Sequence, residues 1–101
     1  MPNDLTQAEH DDVVRTQALR LLFEGYEVQA RLEGWFVLPE IINGYRPDII
    51  ARKAGRVLIL EVEKGDVDWP KLAALDQFKA THPSYELRII RASKEYGKTG
   101  T

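Results

Sequence analysis

The stretch from Arg46 to Lys64, RPDIIARKAGRVLILEVEK, decides the fold that this sequence predicts. Two runs rich in Val, Ile and Leu, residues 46–52 and 56–63, lie on either side of the short segment 53–55. Such runs around a tight turn that contains glycine are typical of a β-hairpin. The stretch therefore predicts two neighbouring antiparallel strands.

The length of the loop sets which residues face each other across this hairpin. A two-residue or four-residue loop centred on residues 54–55 places Asp48 opposite Glu61, and Arg46 opposite Glu63, on one face of the sheet. A three-residue loop would shift the register and remove these pairs. The other face is uniformly apolar and is expected to be core: Ile49, Ala51, Leu58, Leu60 and Val62.

Two directly opposed carboxylates need an explanation, because their β-carbons lie about 5 Å apart and like charges there are destabilising. A hard divalent cation supplies one, since Mg²⁺ binds carboxylate oxygens and keeps several waters. A cation held in this way can activate a water and stabilise charge on a phosphodiester. The alternative is that Asp48 and Glu61 point into solvent or are neutralised by Arg46.

Outside the hairpin, the pattern towards the N-terminus predicts a helix and two strands. Thr6 and Glu9 fit a capping box, and apolar residues at helical spacing follow until Gly25 ends the helix. Residues 26–32 predict a strand, 33–34 a turn and 35–38 a second short strand.

Towards the C-terminus, Asp68 is the expected N-cap of a second helix, with Pro70 in its first turn and its end near Ala80. A last strand is predicted over residues 85–92. The fold class is therefore α/β, a mixed sheet flanked by two helices in the order α-β-β-β-β-α-β. Residues 1–92 are expected to form one domain and residues 93–101 a flexible polar tail.

Bulk properties exclude several kinds of protein. The chain has 101 residues, no cysteine and no apolar stretch long enough to cross a bilayer, so we expect one domain, no disulfides and no membrane. The acidic N-terminal residues do not look like a signal peptide, and a cytoplasmic location is expected. The net charge of −2 argues mildly against a nucleic-acid partner.

Pro47-Asp48 on one strand and Glu61-Val62-Glu63-Lys64 at the end of the next apolar run resemble the PD-(D/E)XK nuclease signature. The order of elements over about residues 5–92 is also similar to that family's core, and to the layout of small archaeal Holliday junction resolvases. The resemblance implies a restriction endonuclease-like fold and an endonuclease that hydrolyses DNA with Mg²⁺ or Mn²⁺. It implies Asp48, Glu61 and Glu63 as metal ligands, no organic cofactor, and a homodimer suited to cutting two strands.

One departure from the family pattern lies at position 63, where the signature has lysine and this chain has Glu63, with Lys64 next. Some restriction enzymes of the family carry Glu there. Alternatively, a bulge re-aims Lys64 towards the site, or Lys71 reaches in from the second helix. The remaining alternative is that Glu63 pairs with Arg46 and the site is inactive.

His10 and Asp11 are further candidates for catalytic residues, because they lie four and three residues before Val14 on the core-facing side of the first helix. Family members often add a ligand from this helix. The alternatives are a partly buried structural histidine and a solvated acid favoured by the helix dipole.

Two other features leave the function open. The large aromatic residues are most simply core or edge residues, with stacking on a nucleic-acid base as the alternative: Trp35, Phe36, Trp69 and Phe78. A competing function is a catalytically inactive nuclease-fold module that binds nucleic acid or protein, which the acidic balance and Glu63 favour.

Overall fold

Four strands and two helices make up the part of the chain that this computed structural model describes, residues 5–91. In chain order they are α1 (Gln7–Phe23), β1 (Glu27–Ala30), β2 (Ile49–Lys53), β3 (Arg56–Glu63), α2 (Trp69–Thr81) and β4 (Tyr85–Arg91). The predicted tail, residues 93–101, lies outside the described residues. The α/β class and the two helices are confirmed.

The strands form one mixed sheet in the order β1-β2-β3-β4. β1 with β2 and β2 with β3 are antiparallel, whereas β3 and β4 are parallel. Parallel neighbours need a crossover connection, and α2 provides it.

The turn between β2 and β3 is a two-residue loop. Ala54 and Gly55 both have positive φ, 52° and 79°, as a type I′ turn requires. Ile50 therefore pairs with Ile59, and the predicted register is confirmed. The ladder ends at the pair Ile49–Leu60, so Asp48 lies one residue beyond it.

Each face of the sheet has its own core. The α1 face carries the larger cluster: Val14, Ala18, Leu21, Ala30, Leu32, Ile49, Ala51, Leu58, Leu60 and Val62. The α2 face carries a smaller one: Ile42, Ile50, Ile59 and Leu75. The predicted capping box at the start of α1 is present, since Thr6 and Glu9 each accept from the other's backbone N–H.

The second short strand predicted over 35–38 is wrong. The N–H groups of Trp35 and Phe36 both donate to the carbonyl of Leu32, at 3.0 and 3.1 Å, so the chain closes into a turn there. Ala30 N–H donates to the Val37 carbonyl (3.0 Å), but no ladder follows in the described residues. The observed order is therefore α-β-β-β-α-β.

The strand predicted from Arg46 begins only at Ile49, one residue after Asp48. Pro47 lies within the predicted start and has no N–H to donate to a ladder, which explains the shorter strand. Within residues 5–91, no helix is both long and apolar enough to cross a membrane.

Candidate active site

Asp48 and Glu61 lie just beyond the β2–β3 ladder, and both are buried at 3% exposure. The backbone N–H of Asp48 donates to Glu61 Oε2 at 2.7 Å. The N–H of Val62 donates to Asp48 Oδ2 at 2.9 Å. Each carboxylate thus accepts a hydrogen bond from a backbone N–H of the other segment. These two side-chain bonds link the segments beyond the point where the regular backbone ladder ends.

Lys71 reaches this acidic pair from α2. Its Nζ lies 2.7 Å from Glu61 Oε1, and its side chain is only 14% exposed. The first turn of α2 holds it in place, because Asp68 is the N-cap and its carboxylate accepts from the Lys71 N–H at 3.2 Å. Of the alternatives for a lysine at the site, the structure brings Lys71 to the acids.

His10 approaches the same site from α1. Its Nε2 lies 3.0 Å from the carbonyl of Val62 and 3.3 Å from Asp48 Oδ2. A carbonyl oxygen can only accept, so Nε2 carries the hydrogen in this arrangement. On the other side of the ring, Nδ1 lies 3.4 Å from Asp11 Oδ1.

The two acids have opposite pKa shifts. The pKa of Glu61 is raised to about 6: burial is the largest cause, the charge of Asp48 adds to it, and Lys71 and the Asp48 amide offset part of the rise. Burial also acts to raise the pKa of Asp48, but hydrogen bonds from His10 and the Val62 amide outweigh it and lower that pKa. The hydrogen bond to Asp48 raises the pKa of His10, against the effect of burial.

Glu63 and Lys64 line the same cavity, which has a volume of about 770 Å³. Glu63 is buried at 7% exposure and pairs with Arg91 in the β3–β4 ladder, but its carboxylate has no hydrogen bond or ion pair to a group within residues 5–91. Arg46, its predicted partner, donates to the Pro39 carbonyl instead. Lys64 donates to Gln7 Oε1 at 3.0 Å, so its ammonium lies against α1 and not against Glu61.

Asp11 is the most open of the predicted acidic site residues, with a side chain 42% exposed. It accepts from Gln7 Nε2 at 2.8 Å and reaches the acidic pair only through His10.

Sequence reasoning missed part of the cavity wall, namely Gln7, Arg15 and Arg31. One signal was present: Arg15 lies four residues after Asp11, which places both on one side of a helix. For Arg31 the sequence held no comparable signal.

The site offers carboxylate and carbonyl oxygens, which are the ligand types of hard cations. Within residues 5–91, no three Asp, Glu, His or Cys side chains form a group that could hold a metal ion. Mg²⁺, however, is commonly bound through one or two carboxylates with waters completing its shell. Asp48, Glu61 and the Val62 carbonyl provide that donor chemistry, but the His10 Nε2–H now contacts two of the three.

No family model matches the chain, and no curated protein or solved structure is significantly similar to it. Residues 5–91 form a small α/β protein fold with a mixed four-stranded sheet, two helices and a buried acidic pair. An activity must therefore be argued from the site itself.

Proposed function

We propose that this protein is a metal-dependent endonuclease that hydrolyses DNA phosphodiester bonds, with a fold of the restriction endonuclease type. The observation that carries the proposal is the buried charged group Asp48, Glu61 and Lys71 on one wall of an open cavity. The resemblance of the flanking sequence to the PD-(D/E)XK signature supports it.

The energetics favour a functional role for this group. Taking charged side chains out of water costs several kcal/mol per ion, and apolar residues of similar size would stabilise a fold as well or better. A pKa of about 6 for Glu61, against an ordinary 4.5, corresponds to an unfavourable ionisation of about 2 kcal/mol at neutral pH. Strongly perturbed acids in a cavity are candidates for catalysis.

Each residue of the site has its own role in this proposal. Asp48, Glu61 and the Val62 carbonyl would hold Mg²⁺ or Mn²⁺, with Glu63 as a further carboxylate on the cavity wall. When bound, the cation lowers the pKa of a water and offsets negative charge on the phosphate. Lys71 would stabilise the developing charge beside Glu61, and His10 positions Asp48. A homodimer stays a prediction from the resemblance.

A specific observation favours a second candidate, a nuclease-fold module that binds without catalysis. Lys71 places a positive charge beside Glu61, and His10 places a hydrogen-bond donor beside Asp48. The two buried carboxylates therefore do not need a metal ion to offset their repulsion. The cavity wall also carries more acidic than basic side chains, which disfavours a phosphate backbone in the absence of metal.

Asp48→Asn and Glu61→Gln test the proposal, with Asp76→Asn as a matched control because Asp76 is exposed on α2. We expect wild type to bind Mn²⁺ in calorimetry and to cut linear or branched DNA in Mg²⁺ or Mn²⁺. Each site variant should lose about a hundredfold or more of cleavage, as expected when a charge-stabilising group is removed. The control should cut like wild type.

An Asp48→Asn protein that cuts as well as wild type would refute the nuclease proposal. Wild type that neither binds Mn²⁺ nor cuts any of these DNAs would favour the non-catalytic module.

Glu63→Lys separates the roles of position 63 and Lys71. If Lys71 serves as the lysine of the site and Glu63 is a metal ligand, the variant should lose Mn²⁺ binding and cleavage together. If position 63 itself serves the lysine role, cleavage should persist or rise in Glu63→Lys.

A further inference from the structure

Trp35 presents its ring to solvent at the rim of the candidate active-site cavity. The residue lines the cavity, yet it is 71% exposed. Its backbone is held firmly, because the carbonyl of buried Leu32 accepts from both Trp35 and Phe36, and Phe36 packs against the α1-side core. An anchored turn therefore carries an indole ring that is not packed in the core.

Arg15 lies beside this ring. Its guanidinium carbon is 6.0 Å from the centroid of the Trp35 ring, and an ion pair with Asp12 restrains it on α1. Arg31 and Arg46 line the same cavity. The cavity thus joins an exposed aromatic face and guanidinium groups to the acidic pair, although its lining is acidic as a whole.

Exposed aromatic rings beside cationic groups are the parts with which proteins bind single-stranded nucleic acid. Stacking of one base on such a ring contributes about 1–3 kcal/mol and accepts any base, because every base has a π-face. Inside a duplex both faces of each base are covered by neighbouring bases, so away from the duplex ends an indole at the surface gains this contact only from an unpaired nucleotide.

We infer that Trp35 and Arg15 bind an unpaired nucleotide of DNA, with the ring stacking on the base and the guanidinium on its phosphate. The substrate class is single-stranded DNA or DNA with an unpaired segment. Delivery of the adjacent phosphate to Asp48 and Glu61 rests on the proposed nuclease function, whereas binding by Trp35 does not.

The chain contains a matched control, since its two tryptophans are equally exposed at 71%. Trp69 begins α2 and does not line the cavity. Trp69→Phe leaves Trp35 as the sole indole, and Trp35→Phe leaves Trp69. Each variant is titrated with a twelve-nucleotide oligothymidine, and with a duplex of the same length, in EDTA so that no cleavage occurs.

Oligothymidine should quench the fluorescence of Trp69→Phe and leave that of Trp35→Phe unchanged. Trp35→Ala should weaken oligothymidine binding by about 5- to 150-fold, the equivalent of one stacked base. Trp69→Ala should bind like wild type, and the duplex should bind weakly to every variant. Arg15→Gln should weaken oligothymidine binding, whereas Arg20→Gln, an exposed arginine on the same helix, should not.

Three results would overturn the inference. The first is equal quenching of both single-tryptophan proteins. The second is unchanged oligothymidine binding by a folded Trp35→Ala protein, with folding checked by its melting curve. The third is a shift of Trp35→Ala from dimer to monomer in sedimentation with DNA binding intact, which would make the ring a contact between copies of the chain.

The two proposals can fail separately. Loss of oligothymidine binding in Trp35→Ala, with no cleavage by wild type in metal, supports the stacking site and refutes the nuclease. Cleavage of single-stranded DNA by wild type, with both cleavage and oligothymidine binding unchanged in Trp35→Ala, supports the nuclease and overturns the stacking site.

Discussion

The two faces of the sheet are built differently. On the α1 face, β2 and β3 contribute a run of apolar side chains to the larger core: Ile49, Ala51, Leu58, Leu60 and Val62. Only the pair next to the turn, Lys53 and Arg56, is charged on this side of the two strands. On the α2 face, Ile50 and Ile59 form a smaller core, and beyond it the face carries Glu61 with Lys71 against it. One face of this small sheet therefore supplies most of the apolar burial, while the other accommodates buried charges.

Truncation of the α1-side core should have the largest effect on stability. Leu60 is 3% exposed, so Leu60→Ala should lower the free energy of unfolding by about 2–5 kcal/mol, through lost burial and a cavity. Urea unfolding measures this. Leu19→Ala, at a position 42% exposed, is the control and should change stability by about 0.5 kcal/mol or less. A loss near zero for Leu60→Ala would show that the face is not buried.

Removal of the α2-side ion pair should have an intermediate effect. Lys71→Met leaves Glu61 without its ammonium partner, so the pKa of Glu61 should rise further and stability at pH 7.5 should fall by roughly 1–3 kcal/mol. At pH 5 much of the loss should disappear, because a protonated Glu61 needs no counter-charge. Lys79→Met, at an exposed position on the same helix, should lose little at either pH.

The pH dependence of stability should distinguish the two acids. The pKa of Glu61 is raised from 4.5 to about 6 in the folded state, so the folded protein binds this proton more tightly. Stability should therefore increase by up to about 2 kcal/mol as pH falls from 7.5 to 4.5.

His10 acts in the same direction, because its raised pKa adds stability that is present at low pH and lost as pH rises through the folded pKa. The lowered pKa of Asp48 acts in the opposite direction: it adds stability that is present above about pH 4 and is lost as the pH falls further. In urea unfolding at several pH values, Glu61→Gln should flatten the curve. A curve as steep as that of wild type would mean that Glu61 is not the group that titrates.

Loss of a helix cap should have the smallest effect. Thr6→Ala and Asp68→Ala each remove the acceptor for a backbone N–H at a helix start and should cost about 1 kcal/mol in thermal unfolding. Asp68→Asn keeps a capping side chain and should cost less. Because Asp68 orders the turn that carries Lys71, only its replacement by Ala should also shift the pKa of Glu61. If the titration of Glu61 is unchanged in Asp68→Ala, the helix cap does not influence the position of Lys71 at the site.

The hairpin could be predicted from sequence because its determinants are local. Ala54-Gly55 sets the loop length, and the two-residue period of a strand then places Leu60 and Val62 on one face of β3 and Glu61 and Glu63 on the other. The strand predicted over 35–38 failed for a tertiary reason. Phe36 packs into the core while its neighbours stay exposed, and the Leu32 carbonyl captures the chain in a turn that composition does not reveal.

The site was predictable in part. The juxtaposition of Asp48 and Glu61 follows from the register, and that much is observed. Which lysine side chain contacts Glu61 depends on how α2 packs across the sheet. Sequence spacing alone left Lys64 and Lys71 as alternatives, and in the structure Lys71 lies against Glu61 while Lys64 lies against Gln7.

The two-residue turn at Ala54-Gly55 also acts on the site from a distance. Glu61 lies five residues along β3 from Arg56, roughly 17 Å away at the usual rise of a strand. Because side chains alternate between faces, a slip of one residue in the β2–β3 pairing would turn Glu61 into the α1-side core and bring an apolar neighbour to Lys71. The length of this turn can therefore change only in even steps: adding two residues to the loop can preserve the site, whereas a register shift of one residue removes it.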